Sequence, residues 1–531
     1  MPANARAGRP VQKRLVRVLG VVLLAAVVYL FRPLFHSLAM LAVVHPALLE
    51  GLLVWGILHF AWWRRVEWLN RPRTGTYVNE AGKKGTFQYR WLWWVSGSAA
   101  VVILGGFMVV GNWLSQVSLS QELQYTAIDH LPESAANVRL LPQEVATRYA
   151  RDSLQLSQYR LGRPSLTMVE GDLHWTYPLV PQGIVLKFLR PAAGVMTVRA
   201  TTQDKATRLI ESPLVVAEGQ LLFDNLWWRV YLVRYWVTGE KPFYKVVDDK
   251  VWTIVPAIGY RLRFRWGILH TVPYFAGVFT VSPAGTVRFV SVSEVAADEI
   301  AGGERVFPET LARRYVEAFA YRRGLINRLF LHVEQSEIQD VPESNRQPFL
   351  MNTDEGLVWF TSTEPYGRSH GIFKIFLVSA TTGRLSVYTP SSGETLTGPV
   401  GALDYVRKAN PLVDWNRFRL VEPLPFIRHG VLFWKTPIIP EDGAGVAFQA
   451  FVNSRNNQVF TFTSDEEIKA FLAETVAPSR SDRTPSSAPE THSPDVESLL
   501  RELRLRLQEA EAILKQLEAQ TRDQVESEPR R

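Results

Sequence analysis

From Trp91 to Leu114 the chain reads WLWWVSGSAAVVILGGFMVVGNWL, 24 residues without a charge. A bilayer core of about 30 Å is crossed by about 20 helical residues, so this segment is long enough to span it. Two other apolar stretches precede it. Val18–Phe35 carries Arg32 and Pro33 near its end, and Leu38–Trp63 is interrupted by His45, Pro46 and Glu50. They predict a helical hairpin with Arg32 snorkelling to the interface. No small-residue cleavage site follows the first stretch, which favours an anchor over a cleaved signal peptide. Three spans are expected within residues 18–115.

Charge sets the expected orientation. Residues 1–17 hold Arg6, Arg9, Lys13, Arg14 and Arg17 and no acid. The loop 64–90 holds seven basic residues against Glu67 and Glu80, whereas Glu122, Asp129 and Glu133 are the first charges after the third span. Basic loops stay cytoplasmic, which puts residues 1–17 and 64–90 inside and everything after residue 115 outside. Trp62, Trp63, Trp68, Trp91, Trp93 and Trp94 flank the basic loop as an aromatic belt. Residues 1–90 carry 13 basic and 3 acidic side chains, leaving 46 basic and 48 acidic on the rest. The overall charge of +8 is therefore a topology signal and gives no reason to invoke nucleic acid. The absence of cysteine excludes disulfides, thiolate metal sites and a Cys nucleophile.

Residues 116–475 are repetitive. LLPQEVATRY (Leu140–Tyr149) and VFPETLARRY (Val306–Tyr315) share Pro, Ala, Arg and Tyr at a constant offset and repeat apolar positions at helical spacing. Strand-like segments end at Trp175, Trp252, Trp359 and Trp434. Three arm–turn–arm segments follow: FTVSPAGTVRFVSV (Phe279–Val292), FLVSATTGRLSVYT (Phe376–Thr389) and FVNSRNNQVFTFT (Phe451–Thr463). Their turns contain Gly or Asn, which tolerate positive φ. The weaker MTVRATTQDKATRLI stands in the first unit. Four units are expected, each strand-rich and at least two with a leading helix, an α+β architecture.

The segment Val378–Tyr388, VSATTGRLSVY, resembles the turn of PepSY-type and cystatin-like repeats of bacterial envelope proteins. That family's turn reads Asp-Ala-x-Thr-Gly-x-apolar; here Ser379 replaces the aspartate, and the other copies depart further. The resemblance implies a non-catalytic module associated with peptidases and cell-envelope proteins.

Residues 476–494 are rich in Pro and Ser and poor in apolar residues, a disordered linker. Beyond it, Val496, Leu500, Leu503, Leu507, Ala510, Leu514, Leu517 and Thr521 alternate spacings of four and three. That is a coiled-coil seam over residues 495–522, suited to homo-oligomerisation. Glu497–Arg501, Glu502–Arg506 and Glu511–Lys515 add i,i+4 pairs in the favourable order. The competing reading is an amphipathic helix folded back on its own domain.

The sequence offers little chemistry. HExxH, P-loop, GxSxG, GxGxxG and EF-hand patterns are all missing, and no two histidines lie within four residues. No cofactor is implied. His174 and His370 are the most plausible functional histidines, although hydrogen-bonded edge residues fit the same pattern. Acidic pairs Asp248-Asp249 and Asp354-Glu355 read as solvated turns. RLRFRW (Arg261–Trp266) alternates strictly, so a strand puts Arg261, Arg263 and Arg265 on one face and Leu262, Phe264 and Trp266 on the other. Three guanidiniums on one face need anionic partners: lipid headgroups, a wall polymer, a protein's carboxylates, or acids within the same sheet. The four repeat tryptophans suit core packing better than ligand stacking.

Two function classes fit. The first is a non-enzymatic, membrane-anchored extracytoplasmic scaffold or regulator that binds a protein or anionic envelope partner. The second is an envelope enzyme or accessory subunit whose site gathers residues distant in sequence. Transport fits less well, because three spans with little polar content do not line a pathway unless oligomerised.

Overall fold

A computed structural model of the chain describes residues 9–69, 90–135, 137–342, 345–367, 371–391 and 393–473. Most of the basic loop, His370, the linker and the heptad segment 495–522 lie outside the described residues.

Among the described residues, three helical segments are long and apolar enough to cross a membrane: Leu19–Val44, Pro46–Arg65 and Trp94–Glu122. The first is broken. A helix Arg9–Phe31 gives way to a 3-10 turn at Arg32–Phe35, followed by a short helix His36–Val44. Arg32, expected to snorkel to the interface, has partners in the second unit. It donates to the Leu232 carbonyl at 2.7 Å, while the Tyr235 hydroxyl donates to the Arg32 carbonyl at 3.2 Å. A guanidinium that finds a protein acceptor has no need to reach for water. The helices Pro46–Leu69 and Arg90–Glu122 pack where Gly111 faces Ala47 and Gly51 faces Leu104 and Phe107, close enough that a Cβ at Gly111 would meet Ala47 Cβ at 2.7 Å. Trp55 donates to the Ser96 carbonyl and His59 bonds the Ser96 hydroxyl, a second link between the same two helices.

The remaining described residues form four units of one topology. In each, two short strands pair side by side along a long central strand, which pairs in turn with a fourth strand and then a fifth. The central strands are Asp172–Pro181, Lys250–Arg265, Gly356–Pro365 and Val431–Pro440. Each sheet follows a helix: Gln143–Asp152, Leu226–Val233, Glu309–Phe319 and Pro399–Ala409. Sequence made the first and third of these helices visible; the second, LWWRVYLV, is apolar nearly all round and lacks their pattern. The expected turns form as well. Gly383 (φ 78°) and Asn457 (φ 60°) adopt left-handed backbone, and a Cβ at Gly383 would strike the Phe307 ring. The Ser379 hydroxyl accepts the Thr382 N–H at 3.2 Å, a contact an aspartate could also make.

Three of the four tryptophans are equivalent. Trp175, Trp359 and Trp434 are buried, and each indole N–H donates to a backbone carbonyl two residues before its unit's helix: Leu141, Phe307 and Thr397, at 2.9, 3.0 and 2.7 Å. Trp252 departs from the expectation. The Asp248-Asp249 turn is followed by Trp252 at the third residue, whereas Trp175 lies fourth after the Glu170-Gly171 turn. A shift of one residue reverses a strand's faces, so Thr253 occupies the buried position and Trp252 is only half-buried on the other side.

Successive units share cores. Val195 and Ile210 of the first pack with Tyr244 and Val251 of the second; Phe243 and Val278 of the second with Trp359 and Phe376 of the third; Phe360 and Ile375 of the third with Trp434 and Ile438 of the fourth. Val421 and Ile439 of the fourth then join the core of the first. The segment leaving the last membrane helix laces three units together. Tyr125–Ile128 adds a parallel strand to Leu385–Tyr388, Ser134 exchanges hydrogen bonds with Ile427, and Leu140 donates to Ala200.

Candidate membrane-proximal binding site

The central strand of the second unit is 16 residues long and its partner, Ile268–Val281, is 14. The pair extends beyond the sheet as a hairpin closed by Trp266 and Gly267, both at positive φ, the two-residue turn that matches strand twist. Its tip reaches the membrane helices. Thr271 donates to the Val44 carbonyl at 2.9 Å, the Leu269 N–H to the Glu50 carboxylate at 2.9 Å, and Ser115 to the Thr271 carbonyl at 2.6 Å. His270 Nε2 bonds the Ser118 hydroxyl at 2.8 Å, and burial pushes its imidazole below the ordinary range.

The basic strip belongs to this junction. Arg261 and Arg263 both face Glu122, at 3.3 and 2.8 Å, and Arg265 donates to Gln121 at 3.0 Å. Both partners come from the last turns of the helix Arg90–Glu122. The acid that balances these arginines is thus about 140 residues away in sequence, not on a neighbouring strand. On the opposite face, Leu262, Phe264 and Trp266 are 57%, 69% and 72% exposed. They share that face with their cross-strand neighbours Thr271 and Leu269, which touch the membrane segments. This exposed apolar stripe continues the apolar surface of the helices that are long enough to cross a membrane.

His174 lies elsewhere, on the strand face opposite Trp175. Its Nδ1 is 3.2 Å from the Asp172 carbonyl, and burial holds it below the usual imidazole range. The structure does not bring His174 together with the basic strip.

Two further charged groupings were not visible in the sequence. Between the first and fourth units, an open cleft of about 820 Å³ is lined by Glu144, Arg148, Arg151, Asp152, Arg419, Glu422 and Asp442. Its carboxylates are engaged: Glu144 by Arg419, Asp442 by Arg148 at 3.7 Å, Glu422 by Arg139 at 2.9 Å, and Asp152 by Lys205 at 3.9 Å. Beside it, Lys435 is buried, donates to the Arg139 carbonyl, and is pushed down to about 7 by burial, with Arg139 adding repulsion. Among the described residues no three His, Asp or Glu side chains converge as metal ligands would.

Fold and junction together define a membrane-associated α+β repeat protein whose folded units are joined to its apolar helices by a docked hairpin. No family model, curated relative or solved structure matches the chain.

Proposed function

We propose that this protein is a membrane-anchored, extracytoplasmic, non-enzymatic scaffold or regulator. The observation that carries the reading is the docked hairpin: it ties the four units to the membrane helices through Val44, Glu50, Ser115 and Glu122, which fixes a recognition surface close to the bilayer. The basic segments 1–17 and 64–90 support an outward-facing domain. The cleft between the first and fourth units is the surface we assign to a protein partner. Charges of both signs that satisfy one another at rest suit polar recognition and orientation.

The cleft also favours the second reading, an envelope enzyme or accessory subunit, since it gathers charged residues from 142–152 and 419–443. Carboxylates each paired with a basic side chain lack the divergent environments that split an acid from a base, so recognition is the better account. Kinship with PepSY-type modules fits the helix-then-sheet units. Self-association through residues 495–522 would multiply the surface; Asp at Leu503 and Leu514 would then abolish it.

Affinity capture from detergent-solubilised membranes tests the reading. Wild-type protein should retain a partner that the double variant Arg148→Glu, Arg151→Glu loses, with membrane integration unchanged. Equal recovery of all proteins by both forms would count against the cleft, and a turnover activity abolished by the same changes would favour the enzyme.

A further inference from the structure

A cavity of about 120 Å³ lies at the junction itself, walled by the His36–Val44 and Pro46–Leu69 helices, the last membrane helix, the hairpin and the third unit's helix. A water needs roughly 10–15 Å³ of such space, so the cavity admits several waters or one phosphate group. Its level is set by the chain: Gly111, Asn112 and Gln116 line it in the C-terminal third of the candidate span Trp94–Glu122, where polar residues begin to replace the apolar run. Met108, 43% exposed on the apolar part of that helix, also lines it, so the cavity reaches the lipid-facing surface.

The lining holds unused hydrogen-bonding capacity. Arg314 is half-buried and, among the described residues, has neither an ion pair nor a hydrogen bond. The neighbouring carboxylate, Glu317, is taken by Arg313 Nε at 2.8 Å. Gln116 Oε1 is buried without a donor, and its amide can turn to present N–H groups instead. The His45 imidazole and the Asn112 amide face the same space. By contrast His270, Ser115 and Thr271 are spent on holding the hairpin. A guanidinium with five donors and no acceptor, half withdrawn from water at a bilayer boundary, calls for an anion. The three hairpin arginines, with Glu122 as their one ion-pair partner among the described residues, add positive potential nearby.

We infer that this cavity is a phosphate-binding site, with Arg314 as the anchoring cation and Gln116, Asn112 and His45 as neutral donors, and that its occupant is a phospholipid headgroup whose acyl chains lie along the span past Met108. The inference needs the membrane-spanning reading but not the partner-binding cleft, so either can fail alone.

Native mass spectrometry of the full chain in neutral detergent tests it, with phosphatidylglycerol as the probe and diacylglycerol of the same chains as the phosphate-free control. One phosphatidylglycerol per chain should be retained and diacylglycerol should not. Arg314→Gln should weaken retention at least about ten-fold, and Arg314→Lys less, since a charged hydrogen-bond partner is lost in the first and kept in the second. Displacement by millimolar inorganic phosphate would make free phosphate the occupant of the same site; resistance to it would make the lipid the occupant. Gln116→Leu removes a donor from the opposite wall and serves if Arg314→Gln does not fold. Equal retention of diacylglycerol, or unchanged phosphatidylglycerol binding in a folded variant of either wall, would overturn the assignment. Membrane fractionation of the same variants reports separately on anchoring.

Discussion

Arg263 on the second unit's hairpin donates to Glu122 in the last turn of the third membrane span, at 2.8 Å, and Arg261 reaches the same carboxylate. One acid therefore gathers two strand arginines onto a membrane helix. Both guanidiniums are about half exposed, so the pairs contribute little to global stability, about 1 kcal/mol or less. Their effect is local. Glu122→Lys puts a fourth cation among three and should raise amide exchange across Arg261–Thr271 several-fold while the third and fourth units exchange as before. Unchanged exchange in the hairpin would mean that Thr271, Ser115 and Glu50 hold the tip without the arginines.

The tryptophan bonds allow a sharper contrast. Trp359→Phe leaves the Phe307 carbonyl without its donor inside a core, and the smaller ring leaves space behind. A loss of about 2 kcal/mol or more is expected. Trp252→Phe removes no such bond from a half-buried position and should cost less than about 1 kcal/mol. Chemical denaturation of the two variants in detergent distinguishes them; equal losses would contradict the face assignment of Trp252.

Much of this was legible locally. The apolar runs, the helices that begin after Pro142 and Pro308, and the Gly383 and Asn457 turns each follow from residues within one element. What was not legible depends on contacts between distant segments. The strand alternation of Arg261–Trp266 separates a basic from an apolar face, but nothing nearby says that Glu122 lies opposite. Trp252 carries the same local signature as Trp359, and only the turn register, one residue shorter, turns it over. The second unit's helix escaped because its apolar surface serves both its own sheet and the membrane segment at Phe31, where Phe31 and Trp228 meet edge to face. Arg139, Glu422 and Lys435 converge from three places and had no shared motif.

Lys435 makes stability pH-dependent with a definite sign. Its amine is held at about 7 in the fold, against an ordinary value of 10.5. Below pH 7 both folded and unfolded chains carry the proton, and the fold bears the full cost of a buried charge. Between 7 and 10.5 the unfolded chain binds more protons, so stability rises with pH by up to about 1.4 kcal/mol per unit, then levels off. Lys435→Met should flatten that rise, leaving the Arg139 carbonyl without its donor at every pH. A denaturation series from pH 7 to 10 in which wild type and variant run parallel would place the charge elsewhere.

The absence of cysteine makes the central claim, that the hairpin tip holds the folded units at the bilayer, directly measurable. A spin label at Trp266→Cys, in full-length protein reconstituted into lipid, reports bilayer depth through the balance of collisions with oxygen, which enriches in the membrane, and with a polar nickel complex, which does not. A second label at Asn456→Cys, in a turn of the fourth unit, gives the aqueous reference. The account predicts oxygen-dominated relaxation at Trp266→Cys and nickel-dominated relaxation at Asn456→Cys. Nickel-dominated relaxation at both positions would contradict it, because the hairpin tip would then stand in water away from the membrane.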